Sequence, residues 1–95
     1  MLHTASPVTI KEPTDPDEMI KPAVEGTLAV LRAARENKVQ RVVVTSSIGA
    51  IGEQDSAKVP EGTLLDEEWW SDIDNKEVGA GTYVRSKTLA ERAAW

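Results

Sequence analysis

The clearest regularity in the chain lies between residues 13 and 38, "PTDPDEMIKPAVEGTLAVLRAARENK", where apolar side chains recur at Met19, Ile20, Ala23, Val24, Leu28, Leu31 and Ala34. That spacing follows the period of a helix with one buried face. Its start is marked by Asp15 as N-cap, Pro16 at the first helical position, and Asp17 and Glu18 facing the positive end of the macrodipole. Asn37 marks its end. Pro22 falls inside the pattern without the N–H a helix needs, so a kink, or a short helix followed by a longer one, is expected there. Gly26 costs a helix about 1 kcal/mol relative to alanine, which a close approach of helix to sheet would justify.

Residues 39–47, "VQRVVVTSS", read differently. Three consecutive valines without polar alternation predict a strand covered on both faces, as in a parallel sheet. The opening "MLH" is then the stub of the preceding strand, and strand, helix and strand make a βαβ unit. Residues 48–81 are rich in Gly, Pro and acids with no sustained period, and a connection this long in a compact domain is expected to serve a site. One short helical turn is expected at "DEEWWSD", residues 66–72. From Thr82 the helical pattern resumes through Leu89, Ala90, Ala93 and Ala94, and the sequence stops at Trp95 in mid-pattern, so the chain reads as a piece of a larger domain.

Composition narrows the class. Apolar residues make up 40% and charged residues 28%, ordinary globular values. The absence of cysteine excludes disulfides and thiolate metal sites. No apolar run reaches the length that spans a bilayer, and the N-terminus lacks the layout of a signal peptide, so the expected location is cytoplasmic. Residues 53–77 hold nine acids against two lysines, so that stretch repels phosphate backbones and nucleic acid is not an expected partner.

Chemistry concentrates at two places. Tyr83 is the only tyrosine, and Lys87 follows four positions later, on the same face of the predicted helix. In open α/β sheets ligands bind beyond the carboxyl ends of the strands, and two such ends, "HTAS" and "VTSS", are expected to face one crevice. Taken singly, such a Tyr–Lys pair is usually a solvated helix face, and "TSS" a polar strand end bonded to its own turn. His3, the only histidine, is expected to be structural, and no metal site follows from it. Trp69 and Trp70 either line the crevice or, the better reading, anchor the loop.

The segments "HTASPV", "DPDEMIKPAVEGTLAVLRAA", "RVVVTSSIGAI" and "YVRSKTLAERAAW" resemble, in this order and spacing, the middle of the extended short-chain dehydrogenase/reductases, within the NAD(P)-dependent epimerase/dehydratase superfamily. The nearest likeness is to dihydroflavonol reductases, cinnamoyl-CoA reductases and fungal aldehyde or ketone reductases. The resemblance implies an α/β fold, part of a Rossmann-type doubly wound parallel sheet, lacking the first βαβ unit and the C-terminal substrate region. Residues 1–95 would be a central fragment of one NAD(P)-binding domain, with 48–81 a long acidic loop.

The resemblance also implies an NAD(P)H-dependent oxidoreductase acting on a small carbonyl or the matching alcohol, with NADP favoured, NAD open and no metal. It assigns catalysis to Ser47, Tyr83 and Lys87, and cofactor contacts to Thr4, Ala5, Ser6, Thr45 and Ser46 together with Tyr83 and Lys87. The chemistry fits those residue types. Hydride delivery to a carbonyl needs a proton at the oxygen, an ammonium beside a phenol favours the phenolate and speeds proton exchange, and a hydroxyl can hold the oxygen in place.

Two departures stand out. Pro22, Ala23 and Glu25 occupy a segment where many family members carry asparagines, and the glycine-rich dinucleotide fingerprint occurs nowhere in the chain, so these residues alone are expected to bind cofactor poorly. The alternatives are a nucleotide-sugar epimerase or dehydratase using the same tyrosine and lysine, and a non-catalytic truncated remnant. The open flanks of an interrupted sheet leave room for a homo-oligomer.

Overall fold

In the computed structural model, which describes residues 1–95, strand β1 (Leu2–His3) leads through a loop to helix α1 (Asp17–Glu36), strand β2 (Val43–Val44), one 3-10 turn (Ile48–Ala50) and helix α2 (Thr82–Ala94). The two strands are parallel, with Leu2 opposite Val43 and His3 opposite Val44. The ladder is closed by Val43 N–H to the Met1 carbonyl and Thr45 N–H to the His3 carbonyl, both 2.9 Å. Parallel strands need a crossover, and α1 supplies it. This is a fragment of a Rossmann-type α/β sheet.

The expected covering of the strands on both faces is not met within this chain. Side chains alternate, and His3 and Val44 turn toward Thr27 of α1 and Lys87 and Ala90 of α2. Leu2 and Val43 point the other way and remain 74% and 59% exposed. The reason is topological: both helices lie on one side of the sheet.

Of the two expectations at Pro22, a short helix followed by a longer one is not met: α1 is one element of twenty residues. Pro22 and Glu18, whose carbonyl would have paired with the missing N–H, both face solvent, so water can satisfy the freed acceptor. The start follows the sequence: Pro16 already has helical dihedrals, and Asp15 Oδ1 accepts the N–H of Asp17 at 3.0 Å. At the other end Asn37 Nδ2 donates to the Ala33 carbonyl at 2.8 Å. Lys38 then turns left-handed at φ 55°, so that its N–H reaches the Arg35 carbonyl and that of Val39 reaches Ala34. This is a Schellman closure with lysine where glycine is usual.

Helices α1 and α2 form the core between them. Met19, Ala23, Thr27 and Ala34 make one buried stripe on α1, and Thr82, Ser86 and Ala90 make the corresponding stripe on α2. The closely matched small side chains let the helices approach. Gly26 is not part of this: a Cβ built there meets nothing within 4 Å, so the expected close approach is absent. Residues 51–81 carry no regular element, and "DEEWWSD" forms the single expected turn, closed by Trp69 N–H to the Asp66 carbonyl. No helix is long and apolar enough to cross a membrane.

Candidate active site

Tyr83 and Lys87 occupy successive turns of α2 on one face, with the lysine Nζ 5.9 Å from the centre of the phenol ring. Tyr83 is half-buried, whereas Lys87 is 7% exposed. A lysine is rarely buried without a paired charge. Lys87 enters neither of the chain's ion pairs, both of which belong to Lys58. The buried hydroxyls around it are satisfied by their own helix, Ser86 donating to the Tyr83 carbonyl at 2.7 Å and Thr88 to that of Val84 at 2.8 Å. They leave the ammonium free to face a ligand.

The ammonium borders a crevice beyond the carboxyl ends of both strands. Ala5 and Ser6 line it from the β1 end, Thr45 and Ser46 from the β2 end, and His3, Thr27 and Glu91 complete it. The two strand ends therefore meet at one site, as the sequence predicts. Thr4 is exposed and lies outside the lining. His3 is buried and its carbonyl sits in the ladder, a structural setting.

Ser47 stands one step away. Its Oγ accepts the Gly49 N–H at 3.1 Å, so it caps its own turn, while its hydroxyl hydrogen stays available to an outside acceptor. That turn packs on α2 so closely that a Cβ at Gly49 would lie 3.3 Å from Val84 Cγ2. Val84 adjoins Tyr83, so Ser47 and the phenol are carried on contacting segments, although neither lines the crevice at Lys87. Ser46 donates to the Glu91 carboxylate within the crevice lining, tying the end of β2 to the last turns of α2.

Small side chains at Ala5, Ser6 and Ser46 and an ammonium outside any ion pair are compatible with the ribose end of a nicotinamide dinucleotide, for which Lys87 can supply donors. The pyrophosphate end has no glycine-rich turn in this chain to receive it.

Several neighbours of the site left no trace in the sequence pattern. Glu12 Oε1 accepts the N–H of Thr82 at 2.7 Å, capping α2 from seventy residues away. Bonding from the Thr82 hydroxyl, and then from its N–H, holds this carboxylate below its ordinary range. The only available hint was that Gly81, at the N-cap of α2, has no side chain with which to cap it. Arg92 lies 5.2 Å from the Trp70 ring centre, and Arg85 donates to the Ile73 carbonyl, so two arginines of α2 fasten the long loop. Trp70 is thus a loop anchor, its carbonyl also taking Gln54 Nε2 at 2.9 Å.

Comparison with known proteins gives this arrangement its context. The model of the 3-beta hydroxysteroid dehydrogenase/isomerase family matches residues 1–94. The chain is 47% identical over 95 residues to cinnamoyl-CoA reductase 1 of Arabidopsis thaliana, covering all of this chain and 26% of that protein. It is 37% identical over 99 residues to dihydroflavonol 4-reductase of Gerbera hybrida, again covering all of this chain and 26% of the relative. A solved structure from work on engineering a reductase against substrate inhibition superposes with a TM-score of 0.77 at 37% identity, over 99% of this chain and 30% of the other. The chain spans about a quarter of the length of its curated relatives. With the order of elements, the joint strand-end crevice and the family match in agreement, the chain belongs to the 3-beta hydroxysteroid dehydrogenase/isomerase family of extended short-chain dehydrogenase/reductases.

Proposed function

We propose that residues 1–95 form the central part of one NAD(P)-binding domain in a reductase of small carbonyl compounds, with Ser47, Tyr83 and Lys87 in its site and NADP as the favoured dinucleotide. The observation that carries this reading is Lys87: a residue only 7% exposed, outside both ion pairs, one helical turn from the only tyrosine, at a crevice shared by two strand ends. Its stem is packed while the ammonium keeps access to solvent, which leaves that charge able to meet a ligand. The reductases among the relatives support the same class.

When bound, a nicotinamide dinucleotide supplies the hydride. The chain's own residues handle the oxygen. Tyr83 donates its phenolic proton to the substrate oxygen as negative charge builds there, and the Lys87 ammonium favours the phenolate left behind. Ser47, whose hydroxyl hydrogen is uncommitted, donates to the same oxygen and holds it toward the phenol. Thr4, Ala5, Ser6, Thr45 and Ser46 would hold the dinucleotide, mostly through backbone groups.

The test is a chimera in which these residues replace the matching segment of the Arabidopsis cinnamoyl-CoA reductase 1. Tyr83→Phe should lower turnover about 100-fold or more while leaving cofactor affinity intact. Undiminished turnover in that variant rejects the proton-donor role, and activity on nucleotide sugars alone points to an epimerase.

A further inference from the structure

Helix α2 begins without a cap of its own. Its N-cap position is Gly81, in extended conformation and with no side-chain acceptor, and a helix start leaves several N–H groups unsatisfied. Glu12 fills that role from the segment that leaves β1. Its Oε1 takes the Thr82 N–H at 2.7 Å, and its Oε2 stands 3.8 Å from where a Cβ at Gly81 would sit. A carboxylate at a helix start is favoured both as an acceptor and by the macrodipole.

The location gives this bond a consequence. Thr82 is 4% exposed in the stripe that packs on α1, and it immediately precedes Tyr83. The segment bearing Glu12 begins at Ala5 and Ser6, which line the crevice. One contact therefore spans from the dinucleotide side of the proposed site to the turn that carries the phenol.

We propose that Glu12 is a positioning residue for the reaction: by holding the N–H of Thr82 it fixes the rotation and height of the first turn of α2, and so the direction in which Tyr83 presents its hydroxyl. This rests on the reading of Tyr83 as proton donor. Without the tether the first turn frays, Lys87 one turn further on stays buried, and the phenol loses alignment while the dinucleotide contacts remain.

The chimera described above tests it. Glu12→Ala should lower kcat about tenfold or more, since small misplacements of a reacting group are costly, with KM for the dinucleotide within about twofold. The acid limb of the kcat–pH profile should move as well, and Glu12→Gln, which keeps an acceptor oxygen, should restore most of kcat. Unchanged kcat and pH profile in Glu12→Ala, alongside lost turnover in Tyr83→Phe, overturns the proposal. Retained turnover in Tyr83→Phe instead sinks the proton-donor reading. If Glu12→Ala does not fold, or the chimera is inactive, the Thr82 amide resonance in threonine-labelled protein still decides whether the tether exists. It should titrate below the ordinary glutamate range and stop doing so in Glu12→Gln, and a resonance indifferent to pH there overturns the proposal.

Discussion

The hydroxyl of Ser71 donates to the backbone carbonyl of Gly49 at 2.7 Å, joining the far part of the long loop to the turn that presents Ser47. The same oxygen accepts the Glu53 N–H at 2.9 Å, and the Ser71 N–H reaches the Ala50 carbonyl at 2.8 Å. Ser71 and Ala50 are both fully buried. One serine thus organises a loop with no regular structure of its own.

Ser71→Ala should therefore destabilise the protein by about 1 kcal/mol, because it removes two partly buried hydrogen bonds, from the Glu53 N–H and to the Gly49 carbonyl. Chemical denaturation of the folded protein measures this. A midpoint equal to that of the unsubstituted chain would show that water satisfies those groups.

Two backbone positions carry the reverse of the residue their geometry favours. Gly26 lies within α1 with open space where a Cβ would stand, so Gly26→Ala should stabilise by about 1 kcal/mol. Lys38 holds φ 55°, where glycine suffers no Cβ penalty, so Lys38→Gly should stabilise by up to about 1 kcal/mol. Thermal unfolding of each variant checks the sign, and a lowered Tm in either would refute the corresponding argument.

Acid should weaken the start of α2 before it reaches the core. The Glu12 carboxyl is held below its ordinary range by Thr82, so its contribution is complete above the unfolded-state pKa and is lost as pH falls through the lower folded-state value. The unfolding midpoint should decline across that acidic window, and Glu12→Gln should flatten this part of the profile. Identical profiles for the two proteins would mean that the carboxylate adds nothing to folding. The group is exposed, so the effect should shrink with salt.

The Tyr83–Lys87 face was readable from spacing alone, since four positions along a helix make neighbours whatever surrounds them. The meeting of "HTAS" and "VTSS" was readable for a similar reason: parallel strands joined by one crossover put their carboxyl ends on the same side. That one helix, and not a short helix followed by a longer one, passes through Pro22 was not legible, because the penalty depends on whether the freed carbonyl meets water, which only the packed helix decides. Gly26 was misread because the sequence does not reveal what lies opposite it.

What the sequence determined by itself were the local periodicities: α1 with its Asp15 start and Asn37 stop, the valine strand, the resumption of helix at Thr82, and the pairing of phenol with ammonium. These follow from interactions between residues a few positions apart. The tertiary structure decided which side of the sheet is covered, that Lys87 is buried without a charge partner, that Ser71 and two arginines fasten the loop, and that Glu12 caps a helix seventy residues away. Each of those depends on contacts between distant segments, whose geometry no short-range pattern encodes.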